Sequence, residues 1–235
     1  MRLPDPTAPD YSLRSVPSTS KDIKALLIDD HTLIRAGLRT ILEAEGRITV
    51  VGEAGNGRDA VKLAKELKPN VIIMDVSMPV LNGIDATHMI KEDAPYSRVL
   101  GLSFSSRHDH IFAMIKAGAV GYLTKNSESD ELIKAISTVA NSGAYFSPLI
   151  SSDIIMGISC SENRISAHLS TLTSREREVL QLTVEGKTLK EIAFILKTSD
   201  KTIQTHRSSI MRKLKIYTIA GLTKFAIREN ITALE

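Results

Sequence analysis

The chain has one cysteine, Cys160, no tryptophan, and only 4% aromatic residues among its 235. A lone thiol excludes an intramolecular disulfide framework and a thiolate metal cluster. No uninterrupted apolar run approaches the ~18 residues that cross a bilayer, and no charged-then-apolar leader precedes the folded part. The expectation is therefore a cytoplasmic protein with no membrane contact. What is present, 43% hydrophobic and 24% charged residues, is the balance of a globular chain. At ~150 residues per domain, the length fits one large domain or two small ones.

Net charge is also small, +3, but it is unevenly divided. Residues 1–172 hold 18 Lys and Arg against 20 Asp and Glu, whereas residues 173–235 hold 12 against 7. An acidic module followed by a basic one is the simplest reading, and basic modules often meet nucleic acid.

Four of the 8 prolines, Pro4, Pro6, Pro9 and Pro17, lie among Ser and Thr in the first stretch, so residues 1–22 read as a flexible tail. Short apolar runs then alternate with amphipathic stretches. KALLID precedes 32–45, ITVVGEA precedes 57–68, VIIMD precedes 83–93, VLGLS precedes 107–118, and GYLT precedes 129–142. Strands that read as continuous apolar runs, each followed by a helix-length segment, predict a five-stranded, doubly wound parallel α/β sheet over 23–148. Residues 149–170 lose the pattern and read as a linker. Thr173-Ser-Arg-Glu176 and Thr188-Leu-Lys-Glu191 are capping boxes, and Ser199 is a third N-cap, so 171–235 read as about four short helices with no strand.

In a doubly wound sheet, ligands bind beyond the carboxyl ends of the strands. The residues there are Asp29-Asp30, Asp75, Ser103 and Lys125. Carboxylates converging on one edge repel unless a hard divalent cation takes their oxygens, and a lysine with a hydroxyl adds phosphate-binding character. Gly55-Asn-Gly57-Arg-Asp-Ala60 superficially matches a dinucleotide fingerprint, with Asp75 at the expected distance. It follows the second strand rather than the first, and it leaves Asp29, Asp30 and Lys125 without a role.

With these residues in order, the stretch 23–143 resembles the receiver domain of two-component response regulators. The resemblance implies that Asp75 takes a phosphoryl group, Asp30 is a direct Mg²⁺ ligand with Asp29 behind it, and the Ser77 carbonyl is a further ligand. It also implies that Lys125 pairs with the phosphoryl oxygens, that Ser103 hydrogen-bonds them, and that Tyr122 is the aromatic whose rotamer follows. Such a site fits phosphoryl transfer, which asks mainly for alignment and charge neutralisation. Two positions depart from the family pattern. Phe104 replaces a small residue after Ser103 and is expected to narrow access to Asp75; Asn126 follows Lys125 where many receivers carry proline, so the family's cis bond does not carry over by resemblance.

The second module divides by helical spacing. Ile203, Ile210 and Leu214 form an inner stripe, opposite Gln204, Thr205, Ser208 and Arg212, and 197–215 holds six basic residues against Asp200. LTSREREVLQLTVEGKTLKEIAFILKTSDKTIQTHRSSIMRKLKI resembles the LuxR-type helix–turn–helix. The resemblance implies DNA contact by Lys201, Gln204, Thr205, Arg207 and Ser208, backbone contact by Thr188 and Lys190, and a structural role for His206. Gln204 and Ser208 stand where several relatives carry basic residues, so no operator preference carries over.

In this order the two resemblances describe a NarL/FixJ-type response regulator, not an enzyme. A sensor histidine kinase would phosphorylate Asp75 with Mg²⁺, and the change would alter dimerisation and binding to double-stranded DNA. One alternative is a phosphorylation-independent DNA binder with a vestigial receiver. Another is a phosphatase using Asp75 as nucleophile, which Ser77 disfavours by occupying the place of a second acid.

Overall fold

The computed structural model describes residues 22–104, 108–147, 171–229 and 231–232. The linker expected at 149–170 and all but the last residue of the expected tail lie outside these residues. Strands β1 (Ile23–Ile28), β2 (Ile48–Ala54), β3 (Val71–Asp75), β4 (Arg98–Ser103) and β5 (Gly121–Thr124) alternate with α1 (Thr32–Ala44), α2 (Gly57–Leu67), α3 (Gly83–Asp93), α4 (His108–Ala117) and α5 (Ser129–Ala140). The sheet has six strands rather than five: β6 (Tyr145–Phe146) adds to β5 in parallel, giving the order β2-β1-β3-β4-β5-β6. Two residues are too few to carry an alternating or continuous apolar pattern, so this strand leaves no sequence signal.

Both faces of the sheet are covered, which is why its central strands are apolar throughout. Leu26, Ile28, Ile72 and Met74 join the α2–α4 side, while Ala25, Leu27, Ile73 and Leu100 join the α5 side with Leu42 of α1. Side chains alternate faces along a strand, so consecutive residues of β1 serve the two cores in turn. α2 and α3 begin at Asn56 and Asn82, whose side chains accept the backbone N–H of Asp59 and Asp85 at 2.9 Å each.

The second domain is all helical among the described residues: α6 (Ser174–Val184), α7 (Leu189–Ile195), α8 (Asp200–Leu214) and α9 (Ile219–Arg228). Both expected capping boxes form, and Ser199 caps α8 by accepting from Thr202 N at 3.1 Å. Val179, Leu182, Ile192, Ile203, Ile210, Leu222 and Phe225 close the core. Lys197 and Lys215 take the left-handed conformation just beyond α7 and at the end of α8, with φ of 49° and 56°.

The two domains meet along α6. Arg177 pairs with Asp85 at 2.9 Å, Arg58 pairs with Glu178 at 2.6 Å, and Val80 of the β3–α3 loop packs on the C-terminal core.

Candidate functional site

Parallel pairing brings the carboxyl ends of β1, β3, β4 and β5 to one edge, and the five pocket residues arrive there together. Asp29, Asp75 and Ser103 are buried at 1%, 4% and 4% exposure. Lys125, just past β5, places its ammonium 2.7 Å from Asp75 Oδ2 and 2.7 Å from Asp29 Oδ2. The first contact is a hydrogen bond. The second is an ion pair off the hydrogen-bonding angle, so Asp29 Oδ2 has charge compensation but no donor aligned on it. Asp30 is the more open carboxylate, and its Oδ1 lies 3.0 Å from His31 Nδ1.

Burial raises the Asp75 carboxyl to about 6. The Lys125 ammonium pulls it down, the Asp29 charge pushes it up again, and the Ser77 backbone N–H, bonded to the carboxylate, lowers it. Tyr122 is fully buried and hydrogen-bonded to Ser103; burial pushes its hydroxyl up to about 12, the Ser103 bond acts against this, and the Asp75 charge adds to it.

Ligand atoms of Asp29, Asp30, His31 and Asp75 lie within 4.8 Å of one another. The three carboxylates are hard oxygen donors of the kind Mg²⁺ takes, and the Asp29 oxygen lacking an aligned donor is the sort of atom a cation would satisfy. The donor set therefore fits that ion.

His31 was not singled out in the sequence, although its place directly after Asp29-Asp30 was the available signal. Its backbone N–H donates to Asp29 Oδ1 at 2.8 Å, and its ring meets Phe104 edge-on with centroids 6.3 Å apart. Phe104, 57% exposed, also has the Lys125 ammonium over its face, 4.9 Å from the ring centroid. His31 and Phe104 thus flank the mouth of the pocket. The peptide bond after Lys125 is not cis.

The glycine-rich turn after β2 serves packing. A Cβ on Gly57 would lie 2.4 Å from the Leu81 carbonyl oxygen and 2.8 Å from Ala86 Cβ, so the glycine lets α2 approach α3 and its preceding loop. Arg58 is committed to Glu178.

On α8 the expected division holds. Ile203, Ile210 and Leu214 are buried, while Lys201, Gln204, Thr205, Ser208 and Arg212 are exposed and Arg207 is half-buried. Thr188 and Lys190 are exposed at the start of α7, with the Thr188 hydroxyl held to Glu191 at 2.7 Å. His206 is half-buried. Lys213, counted among the basic residues around this face, turns inward instead and donates to Glu176 at 2.6 Å.

A parallel sheet with an acid–lysine edge, joined to a basic helix–turn–helix, defines a receiver coupled to a DNA-reading module. Residues 25–137 match the model of the response regulator receiver domain, and residues 170–226 match that of the bacterial regulatory proteins of the luxR family. The transcriptional regulatory protein MctR of Rhizobium johnstonii is 38% identical over 90% of this chain and 96% of its own. The nitrate/nitrite response regulator protein NarL of Escherichia coli K12 is 31% identical over 85% and 92%. A solved structure of two RcsB dimers bound to two parallel DNAs is similar at 25% identity and TM-score 0.55, over 88% and 98% of the two chains. The chain belongs to the NarL/FixJ-type response regulators, a family of transcription regulators rather than enzymes. Among the described residues no helix is long and apolar enough to cross a membrane.

Proposed function

We propose that this regulator is switched by phosphorylation of Asp75 by a sensor histidine kinase, in the cytoplasm and with Mg²⁺. The observation that carries the reading is a buried Asp75 bonded to Lys125 at 2.7 Å with two further carboxylates beside it. Asp30, Asp75 and the Ser77 carbonyl would hold the ion, with Asp29 behind Asp30; bound there, it neutralises charge on the transferring phosphoryl group.

An Asp75 carboxylate oxygen forms the new bond to phosphorus as the bond to the donor imidazole nitrogen breaks. The electron pair stays on that nitrogen, and the product is an aspartyl phosphate. Lys125 leaves the Asp75 carboxylate for a phosphoryl oxygen, Ser103 donates its hydroxyl to another, and Tyr122 exchanges its Ser103 partner as the hydroxyl is drawn away. The altered receiver favours a dimer that places two copies of α8 on double-stranded DNA. Lys201, Gln204, Thr205, Arg207 and Ser208 meet the groove, with Thr188 and Lys190 near the phosphates.

Intact mass after incubation with Mg²⁺ and acetyl phosphate tests the switch. A single phosphoryl adduct is expected in the wild type and none in Asp75→Asn. The Phe104 ring beside Lys125 favours a second reading, a DNA binder with a vestigial receiver; it predicts no adduct and equal DNA affinity in wild type and Asp75→Asn.

Phe104→Ala is expected to gain and lose the phosphoryl group a few-fold faster, since the ring no longer covers Lys125. Equal rates in a mass time course would remove Phe104 from any gating role. Lys201→Ala should weaken binding to all DNA sequences alike and reduce the slope of log affinity against log salt by about 1. Gln204→Ala should instead flatten the preference among operator bases, as titrations against base-substituted duplexes would read.

A further inference from the structure

α1 opens directly after the acid pair and its cap His31, and side chains on a helix lean back toward its start, so Arg35 reaches the end of β1. Its Nη1 donates to the Asp29 backbone carbonyl at 2.5 Å, and its Nε donates to Glu53 Oε2 of β2 at 2.8 Å. The guanidinium carries these donors in one rigid plane, so a single side chain ties β1 to β2 just where Asp29 N–H donates to the Ala54 carbonyl at 3.1 Å. Arg39 Nε holds the other oxygen of Glu53. Burial alone would raise the Glu53 carboxyl, but the Arg39 and Arg35 guanidiniums hold it below its ordinary value, so the anchor is an ion pair. The Arg35 side chain is 18% exposed.

We propose that Arg35, braced by Glu53, is a positioning residue for the Asp29-Asp30 pair and so sets the affinity of the pocket for a divalent cation. Its contact is with the main chain of the pair, and through that chain it fixes where the carboxylates stand. This rests on the reading of the pocket as an Mg²⁺ site.

For Arg35, position and charge act with opposite signs. A guanidinium near a cation site repels the cation, so loss of its charge alone tightens binding, whereas loss of the Glu53 charge alone weakens it. Loss of the grip weakens binding in both cases. The grip has a defined object. Asp29 Oδ1 accepts from His31 N–H at 2.8 Å, and Oδ2 lies 2.7 Å from the Lys125 ammonium, so a shift of the Asp29 main chain displaces a carboxylate engaged at both oxygens. A Cβ on Gly55 would lie 3.8 Å from both Arg35 Nη1 and Asp30 Cα, so the β2–α2 turn lies over the guanidinium and the second acid together. Lysine cannot stand in for Arg35, because an ammonium is a point charge without two donors in a fixed plane.

The test uses the full chain as wild type, Arg35→Gln, Arg35→Lys, Glu53→Gln and Arg39→Gln, with thermal melts to establish that each is folded; Glu53→Gln serves if the Arg35 variants fold poorly. Magnesium chloride is titrated, and amide NMR shifts give the affinity. Both Arg35 variants and Glu53→Gln are expected to bind Mg²⁺ about three- to ten-fold more weakly. Arg39→Gln removes a like charge from Glu53 and leaves the Asp29 contact, so it should stay within about two-fold of the wild type. Without metal, amide hydrogen exchange at Asp29 and His31 should quicken in the Arg35 variants, while exchange in the middle of β3 stays as in the wild type.

Tighter binding in Arg35→Gln, or an Arg35→Lys protein that matches the wild type, would overturn the proposal by reducing the residue to its charge. Equal Mg²⁺ affinities throughout would overturn it too. Should the wild type bind no Mg²⁺, the reading of the pocket as a metal site fails by itself, and the metal-free exchange decides the positioning: faster exchange at Asp29 and His31 in the Arg35 variants upholds it, and equal exchange ends it.

Discussion

Gly83→Ala is expected to abolish phosphoryl uptake at Asp75 and to destabilise the receiver, although alanine is the better helix former. Gly83 is the first residue of α3, and a Cβ there would lie 1.9 Å from the Asp75 backbone oxygen and 2.9 Å from its carbonyl carbon. Neither side can give way cheaply. Asp75 is in register with Leu102 of β4 at the end of a central strand, and the Gly83 N–H is bonded to the Val76 carbonyl at 2.9 Å. Overpacking against fixed backbone costs roughly 1–3 kcal/mol or more, and here the displaced atoms belong to Asp75, the proposed phosphoacceptor. Gly37→Ala is the control. Nothing lies within 4 Å of a Cβ on Gly37, so that change should leave the phosphorylation rate alone and raise stability by roughly 0.5–1 kcal/mol. Thermal melts beside intact-mass time courses separate the two; a phosphorylated, fully stable Gly83→Ala would contradict the close approach of α3 to Asp75.

The pocket was legible because strand ends are legible. VIIMD is an apolar run stopped by an acid, and parallel topology carries every such stop to one edge; Asp29, Ser103 and Lys125 follow by the same rule. The first five strands and the five helices of the receiver lie within a residue or two of their predicted bounds, whereas the two-residue β6 was not predicted. The contacts of α6 were not legible. Glu176, Glu178, Gln181 and Thr183 are polar, and nothing in their spacing marks them as covered, but each is at most 6% exposed. Two of them have partners far off in sequence: Gln181 meets Asn82 and Glu178 meets Arg58 across 99 and 120 positions. Helical period says which residues share a face; it does not say whether water or another domain covers that face. Lys213 illustrates the same gap, for a basic residue in a basic helix reads as a phosphate contact until a buried acid claims it.

That acid is the second site of large effect. Glu176→Gln is expected to destabilise the C-terminal domain by roughly 2–3 kcal/mol at neutral pH and to lower affinity for all DNA sequences. Glu176 is 4% exposed, and its carboxylate accepts from Thr173 N–H at 2.8 Å, Ser209 Oγ at 2.8 Å and Lys213 Nζ at 2.6 Å. Burial alone would raise its carboxyl, but the Lys213 ammonium, the Thr173 N–H and the Ser209 hydroxyl together hold it down at about 2, against an ordinary 4.5. A carboxyl lowered on folding contributes stability that is complete above pH 4.5 and is lost as pH falls through 2. Wild type and Glu176→Gln should therefore differ most in urea midpoint at neutral pH, and the gap should close between pH 4.5 and pH 2. A gap that stays constant across that window would mean that the carboxylate charge has no part in holding the domain. The consequence for DNA comes from where the acid sits. Glu176 caps α6, the helix docked on the receiver, and grips Ser209 and Lys213 on α8, the helix that carries Lys201 and Gln204. It thus ties α6, which meets the β3–α3 loop 76–82, to α8, which carries the proposed DNA contacts. Loosening it detaches the two even when Asp75, Lys125 and every base-reading side chain are intact, so DNA affinity in Glu176→Gln should fall in the phosphorylated and unphosphorylated forms alike.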